Sequence, residues 1–96
     1  MEQTARINEM EHRMDRASAA VMELSSALDR YAAVTDDLDA LSAYYASDNW
    51  KKDFADDEAG RLPANLKRGV LSEDGLWNLL EDNRELRGRM REIASK

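Results

Sequence analysis

At 96 residues the chain makes at most one domain, and it buries only about 60 to 70% of the surface its unfolded form exposes, which excludes a multidomain enzyme. Fourteen Ala and eleven Leu stand against seven β-branched residues (Ile7, Ile93, Val21, Val34, Val70, Thr4, Thr35), too few for a pleated, half-buried sheet. With 35% charged and 43% hydrophobic residues it is too apolar for a disordered chain and too charged for a membrane one, which leaves a single soluble helical domain over residues 1–96.

From residue 7 the apolar side chains step by three and four without a fault: Ile7, Met10, Met14, Ala17, Val21, Leu24, Leu28, Tyr31. Four heptads of this spacing predict one long amphipathic helix with a coiled-coil-like seam. A rod of that length exceeds what the remaining residues can cover on every side, so part of the seam (Met10, Met14, Ala17, Val21) is a candidate interface with a second copy. The phase slips at Val34, and the next set (Val34, Leu38, Leu41, Tyr45) sits one residue early. Thr35 followed by Asp36 and Asp37 reads as an N-cap with acids in the first turn, where they complement the helix dipole. A second helix then runs to about Ala46.

Ser47-Asp48-Asn49 is another start signal, with Trp50 and Phe54 forming one apolar ridge of a short third helix. Asp56, Asp57 and Glu58 fall at its C-terminal end, where acids oppose the dipole. This local conflict asks for a cation, and Lys67 and Arg68 are the candidates to supply it. Gly60 can end the helix, and Pro63 with Gly69 just past Arg68 frames one short helical turn. Ser72 is the expected N-cap of the last helix, with Glu73 and Asp74 in its first turn and Leu71 stapled onto Leu76. The last seam runs Leu76, Leu79/Leu80, Asn83, Leu86, Met90, Ile93. The expected fold is all-α: the long N-terminal helix packed antiparallel on the C-terminal helix, with shorter middle helices and a Gly/Pro connector.

The stretch Trp50-x-x-Asp53-x-x-x-Asp57-Glu58-x-Gly60-x-Leu62-Pro63-x-x-Leu66-Lys67-Arg68-Gly69-Val70-Leu71-Ser72-Glu73-Asp74 resembles the central motif of an uncharacterised family of short bacterial proteins, the domain of unknown function numbered 4298. The likeness extends from about Ile7 to Met90, and residues 66 to 74 are its most specific part. The resemblance implies a bacterial, stand-alone helical protein with no assigned activity, and it supplies no catalytic residues. It singles out Trp50, Asp53, Asp57, Gly60, Pro63, Lys67, Arg68, Gly69 and Ser72 as a candidate interaction or structural motif.

The net charge of −6 comes from residues 36 to 58, which hold eight acids against Lys51 and Lys52, while the rest of the chain balances to zero. An acidic centre disfavours nucleic acid, because phosphate binding needs clustered Lys and Arg. The stretch Arg84, Arg87, Arg89, Arg91 and Lys96, offset by Glu85 and Glu92, is too sparse to reverse that. No cysteine is present, so disulfides and thiolate metal sites are excluded and the cytoplasm is the default compartment. Neither a signal peptide nor a membrane-length apolar run is visible.

Asp36-x-x-Asp39 and Asp53-x-x-Asp56 each put two carboxylates on one helical face. Two such pairs could hold Mg²⁺ over a phosphate, as in all-α nucleotide pyrophosphohydrolases, although those enzymes use mostly Glu. A chain with 20 acids in 96 residues yields about four such spacings by chance, and three occur. An EF-hand loop starting at Asp53 fails, since Glu58 stands where the turn needs Gly. His12 lies off the seam, and Ser72 has no His in register, so nucleophilic catalysis has no base. No cofactor or metal site is assigned. The function expected is a protein-interaction or assembly module, a homodimer with a further, unidentified protein partner. The alternative is a divalent-metal-dependent hydrolase of a phosphorylated small molecule.

Overall fold

The computed structural model describes residues 2–96. Among them are four α-helices, a 3-10 turn and no strand: α1 (Gln3–Ala33), α2 (Thr35–Tyr45), α3 (Asp48–Glu58), the 3-10 turn Gly69–Leu71, and α4 (Gly75–Ala94). The chain divides into two compact units, Met1–Thr35 and Asp36–Lys96. The long first helix, the shorter middle helices, the Gly/Pro connector and the long last helix are those that the apolar periodicity predicts.

The first unit is α1, 31 residues or about 46 Å long. Its start is capped by the Glu2 carboxylate, which accepts from the backbone N–H groups of Thr4 at 2.7 Å and Ala5 at 3.3 Å. Those bonds hold the Glu2 carboxyl below its usual range. The helix stops at the phase slip. Val34 leaves helical geometry (φ −113, ψ 7), and its N–H bonds to the Tyr31 carbonyl at 3.0 Å. Thr35 does not act as the expected N-cap. Its hydroxyl donates backward to the Ala32 carbonyl at 3.0 Å and satisfies an orphan acceptor of the helix before it.

In the second unit the Ser47 hydroxyl joins α2 to α3, donating to the Tyr44 carbonyl at 2.5 Å and accepting from the Trp50 N–H at 3.2 Å. It is the N-cap that Ser47-Asp48-Asn49 predicts. At the other end of α3 the Gly60 N–H bonds to Asp57 O at 3.0 Å and the Arg61 N–H reaches back to Asp56 O at 2.9 Å. This is a Schellman closure, with Gly60 at φ +72 in the left-handed region that a Cβ disfavours.

Residues 63 to 68 form no helical turn, contrary to the expectation from Pro63 and Gly69. Only a single Leu66 N–H to Pro63 O bond of 3.1 Å closes the segment, and helix begins one step later, with Gly69 opening the 3-10 turn instead of ending a helix. Pro63 donates no N–H, and six residues are too few to repay helix nucleation. The last helix also begins later than expected, at Gly75. Ser72 lies in extended backbone before it and still caps it, accepting from the Gly75 N–H at 3.1 Å.

The 3-10 turn is the hub, since it touches both α3 and α4. Among the described residues the fully buried side chains are Leu71 on that turn (5% exposed) and Leu76 on α4 (3%), the pair expected to staple. Each contributes about 1.5 to 3 kcal/mol, little for a unit of this size. The half-buried groups around them must therefore carry much of the cohesion.

The glycines give a direct check. Gly60→Ala forces a Cβ into the left-handed region and should cost about 1 to 2 kcal/mol. Gly69→Ala, where a Cβ meets open space at ordinary φ, should change stability by less than about 0.5 kcal/mol. Urea melts of the two variants that move equally would refute the Schellman assignment.

Candidate functional site

The connector from Gly60 to Asp74 gathers most of the residues that its sequence motif singles out. Arg68 is central. One guanidinium nitrogen donates to the Asp57 carboxylate, another to the Pro63 carbonyl, and Nε donates to the Leu66 carbonyl at 3.3 Å. The Arg68 and Asp57 side chains are both largely screened from water, at 34% and 20% exposure. A rigid fork of donors is what allows one side chain to fold the loop onto the helix end. The dipole conflict of α3 is thus answered, but by a different second cation than expected. Asp56 pairs with Arg61 at 3.2 Å, because the reversal at Gly60 brings Arg61 back over the last turn. Lys67 makes no ion pair among the described residues.

Trp50 ties the other end of the connector down. Its indole N–H donates to the Val70 carbonyl at 2.9 Å, and its ring stacks on Phe54 (5.2 Å between centroids) and meets Tyr45 edge-on at 4.8 Å. The indole is half-buried, with its polar end satisfied, the usual arrangement for a packed tryptophan. Asp53, one helical turn from Trp50, accepts from the Tyr44 hydroxyl at 2.6 Å and so links α3 to α2. That bond, then lost hydration and the Asp53 charge, pushes the Tyr44 phenol up to about 12.

Ser72 closes the motif. Its hydroxyl donates to the Gly69 carbonyl at 2.9 Å while accepting from Gly75. A Cβ built on Gly75 would lie 2.3 Å from that hydroxyl oxygen and 3.2 Å from the Gly69 carbonyl oxygen, so a larger residue there must displace the capping hydroxyl. Beside it runs an open groove of roughly 470 Å³, lined by Leu41, Lys67, Gly69, Val70, Gly75, Leu76 and Leu79. Its walls are aliphatic, with one ammonium at the edge. Nothing in the connector pairs a nucleophile with a base, and among the described residues no three His, Cys, Asp or Glu side chains come together as a metal site. Arg61, Val70 and Gly75 take part in these contacts without having been singled out in the sequence. Gly75 stands three residues after Ser72, the spacing at which an N-capping hydroxyl accepts a backbone N–H, whereas Arg61 and Val70 are placed by the loop's path.

The second candidate surface is the seam of α1. A single helix has nothing to bury its own stripe against, and Ile7, Met10, Met14, Val21, Leu24 and Leu28 are 42 to 67% exposed, with Ala17 exposed among them. They form one continuous apolar line along the helix. Contiguous apolar surface is the feature by which contact surfaces are commonly recognised.

Two measurements test the connector. Trp50→Ala should cost about 2 to 4 kcal/mol, Trp50→Phe about 1 to 2, and Arg68→Ala about 1 to 3, with Arg68→Lys recovering less than half of the Arg68 loss. Thermal melts in which Trp50→Ala matches the parent would contradict the indole's role. The second is a pH series. An unfolded phenol ionises near 10, so the Tyr44–Asp53 bond contributes stability fully present below about pH 10. That contribution is lost as pH rises towards 12, where the folded phenol ionises. Between those values the parent should lose more stability than Tyr44→Phe; parallel curves would show that the bond adds nothing.

Neither a curated protein nor a solved structure matches the chain. A family model does, over residues 7–93, a span that begins at the first seam residue of α1, takes in the whole connector and ends one residue before the end of α4. The chain therefore belongs to the family described as Domain of unknown function (DUF4298).

Proposed function

We propose that this protein is an interaction and assembly module whose working surface is the apolar stripe of α1, and that its first partner is a second copy of itself. The observation that carries this reading is the unbroken line from Ile7 to Leu28, exposed along its whole length. Leaving such a line in water is costly, at about 25 cal/mol for each Å² of apolar surface. Seven seam side chains at roughly 60 to 120 Å² each amount to about 400 to 850 Å² per copy, within reach of the roughly 800 Å² that one side of a stable interface buries. The connector supports the same reading from the other side. Its hydrogen bonds and ion pairs go to its own carbonyls and to the Asp56 and Asp57 carboxylates of α3, as befits a structural lock.

A divalent-metal hydrolase draws no support from the geometry. Asp53 is engaged by Tyr44 and Asp56 by Arg61, and no cluster of ligands forms among the described residues. Among those residues no helix is long and apolar enough to cross a membrane.

Light scattering at micromolar concentration should return a mass near twice 10.9 kDa. Val21→Asp sets a charge in the middle of the stripe, where it is harmless on a lone helix and buried unpaired in a dimer. It should raise the dimer Kd about 100-fold or more. A parent that scatters as a monomer sinks the reading.

A further inference from the structure

A face that self-associates must also choose an orientation, and the residues flanking the α1 stripe carry that information. Ile7, Met14, Val21 and Leu28 occupy the first seam position of each heptad and Met10, Ala17, Leu24 and Tyr31 the second. One flank is then Arg6, Arg13, Ala20 and Ala27, and the other is Glu11, Ser18, Ser25 and Ala32. In a parallel pair each residue of the first flank faces the residue five further along on the opposite flank of its partner. Arg6 falls opposite Glu11, Arg13 opposite Ser18, and the rest are Ala against Ser or Ala. In an antiparallel pair like flanks face each other. Arginine then meets alanine or arginine, glutamate meets serine, alanine or glutamate, and no register produces an attractive flank pair.

The side chains already show which charges are committed. Arg13 is held by Glu9 of its own helix at 2.9 Å. Neither Arg6 nor Glu11 makes an ion pair within the chain among the described residues. The two residues that a parallel partner would bring together are thus the two left available. Of the four first positions, Ile7 and Val21 are β-branched, the choice that favours two strands over three or four in a parallel coil.

From this, and resting on the self-association reading above, we propose that α1 forms a parallel, in-register two-stranded coiled coil with a second copy of this chain, Arg6 of each copy pairing with Glu11 of the other.

The chain has no cysteine, so a single introduced thiol reports orientation cleanly. Gln3 lies on the line of the stripe one turn before Ile7 and is exposed, so Gln3→Cys leaves the apolar seam intact. In the parallel pair the two thiols face each other within disulfide reach, whereas in an antiparallel pair they stand about 40 Å apart. Mild oxidation at a concentration where scattering shows dimer should cross-link most of the chains. A dimer that does not cross-link overturns the parallel arrangement and leaves self-association standing, and a monomer overturns both. Arg6→Glu and Glu11→Arg should each raise the dimer Kd about 3- to 30-fold, and the double exchange should return it to within about threefold of the parent. Single exchanges that leave Kd unchanged would overturn the Arg6–Glu11 pairing.

Discussion

The hydrogen bond from the Trp50 indole to the Val70 carbonyl is the contact on which the second unit depends. Twenty residues separate the two groups, and between them lies the irregular connector, which has no ladder of its own to hold it. Fixing Val70 fixes the 3-10 turn, and the turn sets Leu71 and Leu76, the two side chains that are out of water. Arg68 works on the same loop from the opposite end, tethering Pro63 and Leu66 to the last turn of α3. The loop is therefore pinned at both ends by side chains whose donors reach backbone carbonyls. Among the described residues no buried side-chain nitrogen or oxygen lacks a partner, which is the condition for such polar ties to be stabilising.

A chain of this size cannot bury enough apolar surface to be generous with it. The second unit answers with aromatic stacking and charge-assisted bonds around two leucines. The first unit has no such recourse, because one helix offers only a stripe, and small folds in that position commonly rely on oligomerisation. The two units thus differ in physical means: the second is held by polar stitching around two leucines, and the first leaves its apolar stripe exposed.

The parts of this fold that were legible in the sequence are those fixed by local rules. The phase slip at Val34 ends α1, Ser47 caps α3, Gly60 closes it, and Leu71 with Leu76 marks the entrance to α4. The need for cations near Asp56 and Asp57 was legible too, since it follows from the dipole alone. The misreadings have a common cause. Thr35 was given a forward bond when its hydroxyl had an equally near acceptor behind it at Ala32. Pro63 to Arg68 carries helix-flanking residues, but the guanidinium of Arg68 claims the carbonyls that a helical turn would use. Arg61 displaced Lys67 as the partner of Asp56 because the Gly60 reversal sets the path of the loop, and sequence spacing does not reveal that path. The Trp50–Val70 bond was hidden for the same reason, and the Tyr44–Asp53 bond depends on how the turn at Ser47 sets α3 against α2.

The contact between Ser72 and Gly75 couples two positions genetically as well as sterically. The hydroxyl that caps α4 occupies the space a Cβ at Gly75 would need, and the Gly69 carbonyl stands just behind it. Position 75 is then not free to enlarge while Ser72 keeps its hydroxyl in place. A larger residue at position 75 becomes tolerable only where position 72 has already given up its hydroxyl and the backbone at 69 has shifted, so effects at the two sites are non-additive. The order of exchange therefore matters at this corner, because the hydroxyl at position 72 must move before a larger side chain can enter at position 75.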